Sequence, residues 1–261
     1  QLVRGLAGRF AAGADRVATV GIGDDAAVLR PTPGPVVGTI DTSVEGAHFD
    51  RRWLSFGEIG ARSFHAAVSD VAAMGARPLS ALSNLIVPSA LGEAAIRGIA
   101  SGQARAAREL RCPVVGGNLA RGAELSVTTT VLGKVRSPLT RDAALPGDEV
   151  WLFGDVGLAA AGLRWLALGR RTAHLDAGAR KAVAAGIAAW RNPRALVREG
   201  CRLNGRAHAA IDVSDGLAGD AAHLARASRV RVVLEEPAIR RVLRPALLRL
   251  CEVLDLDALA I

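Results

Sequence analysis

The chain has no tyrosine and few other aromatic residues, with five phenylalanines and four tryptophans among 261 residues. This scarcity argues against a protein that binds single-stranded nucleic acid by stacking bases on aromatic side chains. The formal net charge is +8, and the basic residues are nearly all arginines scattered over several predicted helices. We therefore expect no nucleic-acid partner. Small anionic substrates fit better, because arginine binds phosphate through paired hydrogen bonds.

Cysteines are also few: Cys112, Cys201 and Cys251 lie far apart, and no Cys-x-x-Cys motif occurs. Such a dispersed, odd-numbered set indicates a reducing compartment and small core residues. No uncharged apolar run approaches the length of a transmembrane helix, and the N-terminal segment lacks the apolar core of a signal peptide. We expect a soluble, cytoplasmic protein with no membrane partner.

The common nucleotide-binding loops are missing as well. Gly21 and Gly23 do not extend into a dinucleotide fingerprint, because Ala26 stands where the third glycine is needed. Gly133-Lys134 is not part of a Walker motif, and no two histidines have zinc-site spacing. What the chain does contain is a series of aspartates in apolar or glycine-rich surroundings: Asp24, Asp25, Asp41, Asp70, Asp212 and Asp215.

These aspartates favour a hard metal ion. Asp41 lies inside the β-branched segment 36–44, where a carboxylate needs a partner, and Asp70 lies in the last turns of a predicted helix, where the dipole disfavours an anion. The adjacent Asp24 and Asp25 cannot both face one side of a strand, so a solvated turn, a cap and a cation site all stay open. Carboxylates that converge without cysteine or paired histidine suit Mg²⁺, which usually binds phosphates as well.

Strand and helix patterns alternate along the chain. In the first half we predict strands at 36–44, 79–87, 113–119 and 125–135, and helices at 56–74 and 91–111. Turn residues at 136–147 mark a boundary, so we predict two α/β domains, 1–135 and 136–261. In the second domain we predict strands at 148–153, 209–216 (running into a turn) and 231–235, and helices at 157–169, 178–190, 194–203, 217–228 and 238–253.

Six segments of the chain together form a family pattern. They are Gly21-Ile-Gly-Asp-Asp-Ala26, 39–49, 68–76, Val115-Gly-Gly-Asn118, 139–141 with 146–148, and Ile211-Asp-Val-Ser-Asp-Gly216. In this order they resemble the thiamine-monophosphate kinases, which belong to the aminoimidazole-ribonucleotide-synthetase superfamily. The Val-Glu-Gly-x-His-Phe and Ser-Asp-x-Ala-Ala-Met-Gly-Ala segments are the ones that point to the thiamine branch.

The resemblance implies a fold and an activity. The activity is transfer of the γ-phosphoryl group of ATP to thiamine monophosphate, giving thiamine diphosphate, with several Mg²⁺ ions. The fold is a two-domain, aminoimidazole-ribonucleotide-synthetase-like α/β (α+β) fold, whose N-terminal sheet closes a barrel across a homodimer and whose nucleotide lies between the halves. The implied metal ligands are Asp25, Thr39, Asp41, Asp70, Asn118, Asp212 and Asp215, of which Asp41, Asp70 and Asp212 are also catalytic. The implied nucleotide contacts are Gly117, Asn118, Arg141 and Ser214, and the implied substrate contact is His48.

Two features depart from the family pattern. Asn118 stands where the family usually has aspartate, which removes one charge and predicts weaker Mg²⁺ binding. The family also continues past the position of Ile261 with a substrate-binding segment, so either the sequence is incomplete or the substrate side is open. Two other functions stay in view: a superfamily ATP-dependent synthetase and a catalytically degenerate nucleotide-binding homologue.

Overall fold

The structure is a computed structural model that describes residues 2–22 and 26–261. The chain divides into two compact units, the first formed by Gln1–Thr140 with Arg194–Asp212 and the second by Arg141–Pro193 with Val213–Ile261. The first unit thus also contains the segment Arg194–Asp212, which comes from the second half of the sequence. The assignment of separate functions to domains 1–135 and 136–261 stays a prediction.

The described residues form helices and strands with the following bounds. The helices are α1 (Leu2–Phe10), α2 (Ala14–Val17), α3 (Phe56–Ala73), α4 (Glu93–Leu110), α5 (Leu158–Ala167), α6 (Ala177–Arg191), α7 (Val197–Leu203), α8 (Leu217–Ser228), α9 (Glu236–Val242) and α10 (Pro245–Leu254). The strands are β1 (Ala18–Val20), β2 (Val28–Leu29), β3 (Val36–Val44), β4 (Arg77–Val87), β5 (Val114–Arg121) and β6 (Ser126–Lys134). Among these helices, none has the length and apolar character needed to cross a membrane.

The first unit is built on a four-stranded sheet of order β3-β6-β4-β5. Strands β3 and β4 each pair with β6 antiparallel, whereas β4 and β5 are parallel, as the long α4 crossover between them allows. Helix α3 covers one face of this sheet, and α4 packs on α3. The other face is open and exposes Val36, Ile40 and Leu82. The strands and helices predicted for the first half are therefore confirmed, and the mixed α/β class with them.

Helix α3 is defined by its ends and by its close contact with α4. Ser55 and Glu58 form a reciprocal capping box at its start, and Gly75 follows its C-terminus with a φ of 69°, as predicted. The two helices approach backbone to backbone, because a Cβ at Gly102 would lie only 2.0 Å from the carbonyl oxygen of Gly57. Glycine is thus required for this helix pair to pack as closely as it does.

The second unit is a helical cluster in which α5, α6 and α10 bury a common core. Trp165 of α5 and Leu247 and Leu250 of α10 are among its buried side chains. Helices α5 and α6 again meet through glycines, since a Cβ at Gly162 would lie 2.1 Å from the carbonyl of Gly186.

Three predicted strands of the second half are wrong. Segments 148–153 and 231–235 belong to no strand ladder, and in 209–216 only Ala209 makes an isolated bridge, to Thr140. The physical reason is that a strand needs a neighbouring strand to complete its hydrogen bonds, and none of the described segments supplies one. The predicted helix 238–253 is also two helices, because the residue before Pro245 adopts an extended conformation.

Candidate active site

The first part of the site joins strand β3 to helix α3. Thr39 on β3 donates a hydrogen bond from Oγ1 to Oδ2 of Asp70 on α3, with a distance of 2.6 Å between the oxygens. Asp41 lies two residues further along β3, so its side chain is on the same, helix-covered face as that of Thr39. The structure therefore brings three of the predicted metal ligands together.

The electrostatics of this group favour a cation. Burial raises the pKa of Asp41, and the negative charge of Asp70 raises it further, whereas His48 and a backbone hydrogen bond lower it. A carboxylate whose pKa is raised by burial and by a neighbouring negative charge is stabilised when a positive ion binds beside it. The donor set consists of oxygens only, which suits Mg²⁺.

Strand β6 contributes a neighbouring hydroxyl that the sequence analysis missed. Thr129 is the register partner of Asp41, its side chain is fully buried, and its Oγ1 has no hydrogen-bond partner. A buried hydroxyl of this kind is costly unless a bound group satisfies it, so it is consistent with a polar occupant beside Asp41. The signal in the sequence is the run of threonines 128–130 inside an otherwise apolar strand.

His48 is held by the turn that follows β3. Its backbone N–H donates to the carbonyl oxygen of Val44 at 2.8 Å, and the backbone N–H of Val44 donates to Nδ1 of its ring at 3.1 Å. Because Nδ1 accepts this bond, the proton of the neutral imidazole resides on Nε2. The exposed side chain can therefore offer a donor from Nε2 to a ligand.

Gly117 and Asn118 lie on β5, an edge strand of the sheet. Gly117 cannot be replaced without displacement, because a Cβ there would lie 1.9 Å from the carbonyl oxygen of Ser83 on β4. The amide of Asn118 donates from Nδ2 to Oδ1 of Asn84 at 3.1 Å, on the open face of the sheet. Three strand spacings separate β5 from β3, about 14 Å, so Asn118 and Asp41 of one chain do not share a single ion.

In the second unit, Ser214 and Asp215 lie in a loop whose backbone is hydrogen-bonded to the side chain of Asp220. Their backbone N–H groups donate to Oδ2 of Asp220 at 2.9 and 3.1 Å, respectively. Asp220 is 4% exposed and was not predicted from the sequence. The usable signal was its position, an acidic residue in the first turn of the helix that begins after Gly216.

Arg141 lies in another loop of the second unit. The hydroxyl of Ser228, the last residue of α8, donates to the carbonyl oxygen of Arg141 at 2.6 Å and accepts from the backbone N–H of Ala144 at 3.0 Å. The backbone of this loop is therefore anchored while the side chain of Arg141 stays exposed. The anchoring leaves the guanidinium available to an anion.

The full predicted metal cluster is not assembled by the described residues. Asp25, and Asp24 beside it, lie outside the residues that the structure describes, and Asp212 ends the first unit while Asp215 belongs to the second. In the described part of the chain, no group of three or more His, Cys, Asp or Glu side chains is close enough to hold a metal. The assignment of the cluster as a whole stays a prediction.

Comparisons with known proteins show which family this chain resembles. The profile of the family "AIR synthase related protein, N-terminal domain" matches residues 23–135. The chain is 34% identical over 221 residues to the thiamine-monophosphate kinase of Bacillus subtilis, with 83% of this chain and 67% of that protein covered. It is 35% identical over 170 residues to the enzyme of the same name from Pyrococcus abyssi, with 65% of this chain and 51% of that protein covered. The chain thus spans half to two thirds of the length of these relatives.

A solved structure of AaThiL in complex with AMPPCP and TMP is similar as well. Its TM-score is 0.76 at 28% sequence identity, and the match covers 92% of this chain and 74% of that one. The predicted aminoimidazole-ribonucleotide-synthetase-like fold is thereby confirmed. By sequence and by fold, the chain belongs to the thiamine-monophosphate kinase family.

Proposed function

We propose that this protein transfers the γ-phosphoryl group of ATP to the phosphate of thiamine monophosphate and releases thiamine diphosphate and ADP. The observation that carries the proposal is the partly buried group of Thr39, Asp41 and Asp70, in a chain that belongs to this kinase family. Further support comes from the similar AaThiL structure, which is complexed with AMPPCP, an ATP analogue, and TMP.

Mg²⁺ ions are the implied cofactor. Their ligands would be Thr39, Asp41, Asp70 and Asn118 together with Asp25, Asp212 and Asp215. Bound there, Mg²⁺ supplies positive charge that neutralises the phosphate oxygens during phosphoryl transfer. The protein itself contributes preorganised oxygens: Thr39 fixes the orientation of the Asp70 carboxylate through its 2.6 Å hydrogen bond.

The nucleotide and the substrate would be bound by loops and strand ends. Gly117 lets the backbone approach the phosphates closely, and Asn118, Ser214 and Arg141 would contact the nucleotide. Arginine is suited to this because its guanidinium binds phosphate through two parallel hydrogen bonds. His48 would contact thiamine monophosphate, with the proton on Nε2 as the donor.

A homodimer completes the proposal. The open face of the first sheet exposes Val36, Ile40 and Leu82, with 51%, 68% and 40% of their surface accessible, and β3 and β5 are free edges within the described sheet. Pairing with a second copy would cover this face and close a barrel. Light scattering tests it: a stable monomer at micromolar concentration contradicts the proposal, and Ile40→Glu is expected to weaken a dimer.

The cytoplasm is the proposed location. All three cysteines, Cys112, Cys201 and Cys251, are free thiols, as expected in a reducing compartment.

One assay separates the candidate functions. The purified full-length gene product is incubated with ATP, Mg²⁺ and thiamine monophosphate, and thiamine diphosphate is measured by chromatography, with Asp41→Asn as the control for contaminating kinases. Formation of thiamine diphosphate supports the proposal. ATP consumption without this product favours a superfamily synthetase, and ATP binding without turnover favours a degenerate homologue, the reading that Asn118 suggests.

A further inference from the structure

Asp220 is exceptional among the acidic residues of this protein. It is 4% exposed and is the one carboxylate among the buried polar residues in the described part of the chain. Removing a carboxylate from water is costly, so it must be compensated by hydrogen bonds or charge. The residues that compensate it are two consecutive members of the predicted nucleotide and metal loop.

The hydrogen bonds of Asp220 determine the direction of that loop. Oδ2 of Asp220 accepts from the backbone N–H groups of both Ser214 and Asp215, at 2.9 and 3.1 Å. With their N–H groups turned inward to Asp220, the two residues keep exposed side chains. Gly216 follows as the residue before α8, and its φ of 114° is a conformation that favours glycine.

We propose that Asp220 is a positioning residue, which holds the Ser214-Asp215 backbone so that the Asp215 carboxylate and the Ser214 side chain are preorganised for a divalent cation and its nucleotide. This inference rests on the proposed function. Its physical basis is that a loop ordered before binding loses less conformational entropy when the ligand arrives. Without Asp220 the two N–H groups would turn to water and the loop would sample other conformations.

Asp176 provides a matched control. It is also an aspartate at a helix start in the second unit, where its Oδ1 accepts from the backbone N–H of Ala179 at 2.8 Å. Asp176→Ala therefore removes a carboxylate-to-backbone hydrogen bond and a favourable dipole interaction, as Asp220→Ala does. Asp176 caps α6 and touches none of the residues proposed to bind ligands.

The test measures cation affinity and loop order separately. Mn²⁺ is titrated into wild type, Asp220→Ala, Asp220→Asn and Asp176→Ala in the presence of ATP, and free Mn²⁺ is followed by electron paramagnetic resonance. Amide hydrogen exchange of Ser214 and Asp215 is measured in the same proteins without ligand. We expect Asp220→Ala to raise the Kd for Mn²⁺ about tenfold and to accelerate exchange of both amides, while Asp176→Ala changes neither. Asp220→Asn keeps an acceptor oxygen and should recover part of the affinity.

The outcomes are distinguishable from those of the proposed function. Wild-type Mn²⁺ affinity in Asp220→Ala, or an equal loss in Asp176→Ala, overturns the positioning proposal. If Asp220→Ala does not fold, Asp220→Asn decides: a threefold or larger increase in Kd supports the proposal, and no increase overturns it. A wild-type protein that binds Mn²⁺ but makes no thiamine diphosphate overturns the proposed function alone, and one that binds no Mn²⁺ overturns both.

Discussion

The two compact units respond differently to the same kind of sequence pattern. In the first unit, alternating apolar residues form complete strand ladders, and α3 covers one face of the sheet. In the second unit, segments 148–153 and 231–235 belong to no strand ladder, and they leave Trp151 75% and Val233 58% exposed. The difference shows that alternation reports a capacity to form a strand, whereas the ladder depends on a partner elsewhere in the fold.

The units also hold their predicted ligands in different ways. In the first, Asp70 is oriented by the side chain of Thr39, and the environment of Asp41 is set by burial and by nearby charge. In the second, Asp220 orients the backbone of the loop that carries Asp215. The first arrangement concentrates negative charge in partly buried surroundings, and the second restricts the conformation of a loop.

The largest effect is expected from substitutions that remove a charge from Asp41 or Asp70 in the first unit. If the proposed function is correct, Asp41→Asn or Asp70→Asn should reduce turnover at least ~100-fold, because each removes a charge that would face the reacting phosphates through Mg²⁺. The folded-state pKa of Asp41 is raised, so its ionised form destabilises the ligand-free protein above that pKa, and Asp41→Asn should leave the melting temperature unchanged or higher. Steady-state kinetics and thermal denaturation measure the two effects.

The control for this pair comes from the second unit. Asp155→Asn removes an exposed carboxylate that pairs with Arg244 at 2.9 Å, and it should change neither turnover nor fold noticeably. Normal activity in Asp41→Asn or Asp70→Asn would remove that residue from the site.

The next largest effect, on stability, is expected from substitutions of the glycines at which the two helix pairs touch. Gly102→Ala should destabilise the first unit and Gly162→Ala the second, each by about 1–3 kcal/mol, because the new methyl group forces two helix backbones apart. Denaturant unfolding is followed by circular dichroism and by fluorescence of Trp165 and Trp190, both buried in the second unit. Unfolding of that unit should respond chiefly to Gly162→Ala.

Two glycines with free space around them provide the matched controls. A Cβ at Gly8 of α1 or at Gly219 of α8 would meet no atom within 4 Å. Gly8→Ala and Gly219→Ala should therefore be neutral or slightly stabilising. Destabilisation by these variants as large as that of Gly102→Ala would show that helix contact is not the cause.

A smaller effect is expected at Asn118, on the opposite edge of the sheet from Asp41. Asn118→Asp adds a ligand charge and should lower the Mg²⁺ concentration for half-maximal activity by up to about tenfold, roughly 1.4 kcal/mol. Asn84→Asp, which alters the hydrogen-bond partner of Asn118, serves as the control and should not lower it. An unchanged or raised midpoint in Asn118→Asp would mean that this residue does not face a metal.

The smallest effect concerns how the returning segment 194–212 is attached to the first unit. Nδ1 of buried His65 accepts from the backbone N–H of Ala195 at 3.2 Å. Burial lowers the pKa of His65 below its ordinary 6.5; the charge of Glu109 opposes this, and those of Arg194 and Arg105 reinforce it. The unfolded chain therefore binds this proton first, so stability should fall as the pH decreases below 6.5.

Chemical denaturation across the pH range tests this dependence. His65→Asn retains an acceptor near Nδ1 but does not titrate, so its stability should vary less with pH between 5 and 7 than that of the wild type. Identical pH profiles for the two proteins would contradict the assignment to His65.

Local chemistry explains what was predictable from the sequence. The bounds of β3 and α3, and the glycine after α3, follow from residue spacing and cap chemistry within about one turn of chain. The family segments were also recognisable from the sequence alone. They predicted a site that includes Thr39, Asp41 and Asp70, and the fold brings these three residues together. For all of these, the signal and the structure lie close together in the sequence.

The tertiary structure decided the rest, because the deciding contacts are distant in sequence or invisible in its pattern. Thr129 became a neighbour of Asp41 only through the pairing of β3 with β6, and segments 148–153 and 231–235 failed as strands only because no described segment pairs with them. Asp220 looked like an ordinary helical carboxylate until its burial and its two hydrogen bonds were known. The sequence alone determined which residues could carry the chemistry, whereas burial and strand pairing, which depend on the whole chain, decided which of them are held in position.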